Sequence, residues 1–226
     1  MSEQPAVTAQ TQVPAFTEAK DAAEFVSAVK SALAGQRSAL TGRLAQAASI
    51  ESLLLQHLQF VDRIVVAAWR LCVADQAGVA LAATGGYGRG ELYPHSDIDI
   101  LVCADEHVQA GIEEDVGRFF SLLWDSGLKL GQAVRSVAQC VEAGQQDVST
   151  FTALLETRCL AGDEAVYQAL KQAMQSPDIY SAVDYFNAKR LEQRQRHGKF
   201  HNTADNLEPN LKEGPGGLRD FHTLTW

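Results

Sequence analysis

The chain is short of positive charge. Its 226 residues hold 19 Lys and Arg against 28 Asp and Glu, a formal net charge of −9. A protein that coats nucleic acid needs a basic stripe to displace counterions from phosphates, so this balance argues against a general nucleic-acid binder. Long apolar runs are missing as well. Charges or Gln interrupt each run well before the ~20 residues that a membrane-spanning helix requires. The opening MSEQPAVTAQTQ has neither a basic n-region nor an apolar h-region, and no secretory signal is expected. Cysteine is scarce. Cys72, Cys103, Cys140 and Cys159 form no CxxC pair and have no His at ligand spacing. That excludes the common structural zinc frameworks and predicts reduced, mostly buried thiols in a cytoplasmic protein. Apolar residues, at 46%, are plentiful, and this length supports one or two domains with a core.

Residues 1–17 are rich in Ala, Gln, Thr and Pro without an apolar period and are expected to be a disordered leader. Residues 18–75 read as a helical segment. Phe25, Val26, Val29 and Leu33 recur at helical spacing up to Gly35, which predicts a break there. A second helix carries Leu40, Leu44, Ile50, Leu54, Leu58, Val61, Val65 and Trp69. Residues 76–145 alternate strand and helix signals. Val79–Ala83 reads as a short buried strand, Asp97–Cys103 as an alternating one, 107–126 as a helix and 128–137 as another strand. Helices are expected to dominate 147–199, and 202–220, rich in Asn, Pro and Gly, to form an ordered loop; together they make 146–226 a second helical region. The resulting fold class is α+β, a small mixed sheet with helices before and after it. Trp69 and Trp124 fall on helical stripes and are expected in the core.

Chemistry concentrates in Gly85-Gly86-Tyr87-Gly88-Arg89-Gly90-Glu91-Leu92, followed by Ser96-Asp97-Ile98-Asp99. Side chains alternate along a strand, so Asp97 and Asp99 are expected on one side, with Ile98 and Ile100 on the other. Paired carboxylates suit Mg²⁺, a hard cation that keeps open positions for water and phosphate oxygens. Two such ions ~3.5–4 Å apart stabilise both the attacking and the leaving oxygen of a phosphoryl displacement. Gly85-Gly86, directly after a strand, lets the backbone turn sharply and approach an anion. A helix opening near Gly88–Arg89 directs amides at a phosphate. Ser96 is placed to donate its hydroxyl to a phosphate oxygen. Arg89 has two readings, a phosphate contact or an ion pair with Glu91. A lone DxD or a lone GGxG is weak; their succession supplies each part of one phosphate-plus-metal site. His95 adjoins this site and reads equally well as a loop residue.

The GlyGlyTyrGlyArgGlyGluLeu…SerAspIleAsp succession resembles the signature of the DNA polymerase β-like nucleotidyltransferase superfamily. A second block narrows the likeness. Asn206-Leu207-Glu208-Pro209-Asn210-Leu211-Lys212, then Gly214-Pro215-Gly216-Gly217-Leu218-Arg219-Asp220, resembles the segment that follows the catalytic core in bacterial PII uridylyltransferase/uridylyl-removing enzymes. Trp124-Asp125-Ser126-Gly127-Leu128 and Arg196-His197 are similar too. The resemblance covers residues 85–226. It implies transfer of UMP from UTP to a tyrosine of the PII signalling protein in nitrogen regulation, with pyrophosphate released. It also implies Mg²⁺ on Asp97 and Asp99, the catalytic pair, and nucleotide contacts at Gly85, Gly86, Arg89 and Ser96. The sequence contains no His-Asp dipeptide, so the hydrolytic motif of the family's HD domain is missing, and the chain is expected to be an N-terminal part, without the HD hydrolase and ACT domains, of a longer protein. Alternatives are a related transferase acting on another protein or a small molecule, and an inactive nucleotide-binding regulatory module.

Two features depart from the pattern. Superfamily members often carry a third carboxylate on the strand after the DxD, but 128–137 offers only Lys129 and Arg135 as charged residues. Asp125, Glu208 and Asp220 are the candidates elsewhere. Asp205 stands where the block leads one to expect an aromatic residue. Further along, Lys189, Arg190, Arg194, Arg196 and Lys199 form a basic stretch opposed by Glu192 alone. It is expected to be a solvated helix face; the functional reading is a contact with a partner or a triphosphate, with Arg190, Arg194 and His197 acting from one face. Gly214–Gly217 reads as a connection between helices, or as a segment across the active-site mouth with Arg219 facing the nucleotide.

Overall fold

The computed structural model describes residues 15–73, 77–205 and 207–226. Most of the expected leader, and Asn206 of the second block, lie outside the described residues. The elements run α1 (Ala22–Ala45), α2 (Ile50–Cys72), β1 (Val79–Ala83), α3 (Gly85–Arg89), β2 (Ile98–Ala104), α4 (Glu106–Asp125), β3 (Leu130–Arg135), α5 (Val137–Gln146), α6 (Val148–Leu155), β4 (Arg158–Gly162), α7 (Glu164–Met174), α8 (Ala182–Gly198) and α9 (Leu218–Thr225). The α+β class expected from the sequence is the one observed. The chain divides into two compact units. One gathers the described residues of 1–75 with Glu91–Ile98 and Gly111–Leu130; the other holds 77–90, Asp99–Ala110 and Gly131–Trp226.

The first unit is helical. The Asp21 side chain caps α1 by accepting from the Glu24 N–H, and Ser49 caps α2 by accepting from the Ser52 N–H, each satisfying a donor that a helix start leaves open. The break expected at Gly35 falls instead between Gln46 and Ser49, where Ala47 adopts φ 58°. A Cβ at Gly35 would meet nothing, so the helix simply runs through it at the ~1 kcal/mol that an interior Gly costs. The inner stripe of α2 buries Leu53, Phe60, Val61, Ile64, Val65, Ala68 and Trp69. Phe16, in a single 3-10 turn, packs edge-on against Phe25 and Phe60, with ring centroids 6.4 and 6.0 Å away. Trp69 is in the core as expected, edge-on to Phe119 at 5.3 Å. Trp124 is not; 48% of it is exposed. It follows Leu123, which lies on the buried stripe of α4, and one residue along a helix turns ~100° away from that stripe.

The second unit is built on a four-stranded sheet in the order β3-β2-β1-β4, with β1 antiparallel to both β2 and β4. All five residues of β1 are buried, which is why that strand reads as an unbroken apolar run. One core cluster joins Ala80, Leu101, Cys103, Cys140, Phe151, Leu154, Leu170 and Met174, each buried aliphatic or aromatic side chain contributing ~1.5–3 kcal/mol. The four cysteines are free thiols, Cys103 and Cys140 buried and the other two half-buried. β4 was not expected among the helices of 147–199. Its five residues are all half-buried, so the strand carries no inside-outside alternation to read.

Candidate active site

The register of the sheet brings the two halves of the first motif together. Ala83 of β1 pairs with Ile100 of β2, and the next N–H along, that of Thr84, donates to the Asp99 carbonyl at 2.9 Å. Thr84 is the N-cap of α3, which opens at Gly85 rather than near Gly88. Gly85 has φ +54°, in the left-handed region that glycine enters without a steric cost. The Asp99 side chain lies directly over this turn: a Cβ on Gly85 would stand 3.4 Å from Asp99 Oδ2. On its other side the carboxylate faces Gly131 of β3, where a Cβ would collide with Asp99 Oδ1. One carboxylate is thus cradled between two positions that carry no side chain. The expected alternation holds on the strand: Ile98 and Ile100 are buried and Asp99 between them is half-buried. Asp97 lies one residue before the strand and is exposed, as is Ser96, whose N–H donates to the Tyr93 carbonyl at 3.0 Å. Buried Leu92 anchors that loop in the helical unit.

Arg89 ends α3, and its guanidinium rests on Glu156 at 2.5 Å. It also lies 3.3 Å from His222 Nδ1 and 5.8 Å from the centre of the Trp226 ring. The Trp226 indole donates to the other Glu156 oxygen, and Lys189 Nζ sits 4.3 Å from the ring of Trp226. Glu156 therefore ties α3 to α9. Gly88 makes the approach possible, because a Cβ there would strike the Glu156 carbonyl oxygen. Sequence reasoning missed Glu156, which lies 67 residues from Arg89. It also missed Gly131, although a glycine inside a strand is itself a sign of close approach by a neighbour.

The basic stretch on α8 is not a uniformly solvated face. Arg190, Arg194 and Lys199 are exposed, but Lys189 and Arg196 are buried, 6% and 7% exposed. Arg196 donates to the Glu213 carbonyl at 2.9 Å and to Asp220 Oδ1 at 2.8 Å. Asp220 also accepts from Gln193 at 3.0 Å and from the Gly216 N–H at 2.7 Å, and both its oxygens lie 3.0 Å from His197 Nε2. His197 thus faces Asp220, while Arg190 and Arg194 are exposed. Arg219 pairs with Glu213 at 3.2 Å. The second motif block is therefore pinned to α8 by buried charge. Both Asp220 oxygens are occupied in this way, which explains the residue without a metal. Among the described residues no group of three or more His, Cys, Asp or Glu gathers to hold a metal ion, and Glu208 is exposed.

Burial of Asp220 opposes its ionisation, but the hydrogen bonds from Gln193, Arg196, Gly216 and His197 outweigh it and hold its carboxyl well below the usual carboxylate range. A depressed folded-state pKa means stability that is present above the unfolded value of ~3.9 and lost as pH falls below it. Acid titration of the melting temperature should show this loss below about pH 4. Asp220→Asn should flatten that limb and be less stable than wild type at neutral pH; identical acid limbs would contradict the assignment.

Comparison with known proteins agrees with both motif blocks. The model of the nucleotidyltransferase domain matches residues 68–150, and that of GlnD PII-uridylyltransferase matches 184–226. The chain is similar to the bifunctional uridylyltransferase/uridylyl-removing enzyme of Stutzerimonas stutzeri, 45% identical over 89% of this chain and 22% of the relative. The enzymes of the same name from Xanthomonas axonopodis and Nitrosococcus oceani are each 46% identical over 83% of this chain and 21% of the relative. The chain thus spans about a fifth of the length of these curated relatives.

Proposed function

We propose that this chain, similar over most of its length to bifunctional uridylyltransferase/uridylyl-removing enzymes, performs the transfer half of that name: UMP passes from UTP to a tyrosine hydroxyl of the PII signalling protein in cytoplasmic nitrogen regulation. The observation that supports this reading most directly is the Asp99 carboxylate held over the Gly85 turn and against Gly131. In the reaction the phenol oxygen attacks the α-phosphorus, the bond from that phosphorus to the bridging oxygen breaks, pyrophosphate leaves, and the phenol proton is released. Gly85 and Gly86 allow the phosphates to approach the backbone, and Ser96 donates its hydroxyl to a phosphate oxygen. The family resemblance gives Arg89 a nucleotide contact, and in the fold its guanidinium is paired with Glu156 at the end of α3.

The donor set fits Mg²⁺. Asp97 and Asp99 offer hard oxygen ligands one residue apart, and an ion that keeps several waters and substrate oxygens needs no third protein carboxylate. When bound, it would neutralise charge on the triphosphate. The residues themselves do little covalent chemistry; they position the reactants and compensate charge.

The test is label transfer onto purified PII in the presence of Mg²⁺. Label from UTP should appear on PII, label from ATP should not, and a PII variant with Phe for the acceptor Tyr should stay unlabelled. Equal transfer from ATP, or transfer to the Phe variant, would overturn the assignment of substrates. Nucleotide binding by calorimetry without any transfer would favour a regulatory module.

A further inference from the structure

The short helix α3 opens with the Gly85 turn, and its own sequence does little to hold it in place. It runs over Gly85–Arg89, five residues of which Gly85, Gly86 and Gly88 are glycine. Isolated helices shorter than ~12–15 residues are marginal in water, and glycine is among the poorest helix formers. The Thr84 side chain does not cap it. Its placement is therefore set by tertiary contacts. Tyr87 anchors it in the core, 1% exposed, with the Arg158 guanidinium 5.4 Å from the centre of its ring.

Two further contacts come from one residue, Glu156, through its backbone and its side chain. The Gly88 backbone lies so close to the Glu156 carbonyl oxygen that no Cβ fits there. Next along α3, the Arg89 guanidinium rests on Glu156 Oε2 at 2.5 Å. Glu156 is itself fixed on both sides. It is the C-cap of α6, and two residues later Arg158 enters β4 opposite Ala83, which stands two residues before Gly85. The Glu156 side chain is 8% exposed, and its other oxygen accepts from the Trp226 indole. Charge-assisted bonds of this kind are stronger than neutral ones, and removing one charge of a buried pair leaves the other uncompensated.

We infer that Glu156 is a positioning residue for the transfer reaction: acting through Gly88 and Arg89, it fixes α3 and with it the Gly85 turn beneath Asp99. The kinetic consequence rests on the transfer reading. The placement of α3 is measurable without turnover.

The experiment is amide hydrogen exchange by NMR on the 226-residue chain and its Glu156→Gln variant. The Gly88 N–H donates to the Thr84 carbonyl at 2.9 Å and the Gly90 N–H to that of Tyr87 at 3.2 Å, so both amides report on α3. Gln keeps the size of the side chain and removes the charge that holds Arg89. Exchange at Gly88 and Gly90 should rise about tenfold or more, and in the paired amides of β1 and β2 no more than about twofold. A rise shared by all these amides would mean a general loss of stability, and no rise would mean that α3 is held without Glu156; either overturns the inference. Trp226→Phe keeps a ring and drops the indole N–H, so it should give the same local pattern on a smaller scale. It decides the question if Glu156→Gln fails to fold, and an unchanged α3 then overturns the inference. In transfer assays Glu156→Gln should lower kcat about tenfold with the KM for UTP within about twofold. The Arg89→Gln, Glu156→Gln double variant should be no slower than Arg89→Gln alone. Normal kcat beside a loosened α3 would make Glu156 a structural residue only. Absence of transfer in the wild type would instead strike the transfer reading, with the exchange pattern of α3 unaffected.

Discussion

Asp99→Asn is expected to lower UMP transfer by about a thousandfold or more while moving the melting temperature by no more than about 2 °C. Asn keeps the size of the side chain and the backbone bond from Thr84 to the Asp99 carbonyl, so β1 and β2 keep their register. What it removes is one negative charge at the place where the Gly85 turn and β3 converge. If that charge serves metal-dependent phosphate chemistry, excess Mg²⁺ should not restore the rate, because a neutral amide is a far poorer ligand for a hard cation. Asp97→Asn should give a loss of similar size with still less effect on stability, since Asp97 is exposed ahead of the strand. Activity within about tenfold of wild type in either variant would remove these residues from the mechanism. Calorimetry of UTP without Mg²⁺ makes the distinction sharper: binding should be unchanged there and weakened only when Mg²⁺ is present.

The sequence shows some of this arrangement and conceals the rest for physical reasons. β1 and β2 are legible because one is wholly buried and the other opens with half-buried Asp99 between buried Ile98 and Ile100. Local patterns of that kind suffice to place Asp99 beside a glycine turn. The features that were hidden are non-local. Nothing near Arg89 announces Glu156, because the pair forms only when α6 packs beside α3. Nothing in α8 announces that Lys189 and Arg196 face inward, because Trp226, Glu213 and Asp220 arrive from later in the chain. A charge run reads as solvated whenever its partners lie outside the window. The early break predicted at Gly35 has a different origin. Intrinsic propensity penalises that glycine, but the penalty is small beside the packing of Phe25 and Val29.

Gly131→Ala tests the same carboxylate by displacing it instead of neutralising it. The new methyl would collide with Asp99 Oδ1, and the atom it meets is the end of a rotatable side chain, so relief comes by turning Asp99 away. Such a rotation costs about 1 kcal/mol, which predicts a nearly normal melting temperature. The chemical cost is larger, since a misplacement of ~1 Å at a reacting centre can lower a rate ~10²-fold. A fall of about a hundredfold in kcat is therefore expected, with partial recovery at high Mg²⁺, because the charge is still present and only its position is wrong. That recovery separates displacement from neutralisation, which Asp99→Asn should not show. Gly85→Ala is the companion measurement. There the Cβ would stand 3.4 Å from Asp99 Oδ2, but the residue holds φ +54°, so strain of ~1–2 kcal/mol in the turn accompanies any displacement. It should lose both rate and stability. Full activity in Gly131→Ala would mean that Asp99 can leave its cradle without consequence, and the carboxylate would then be a structural residue of the sheet.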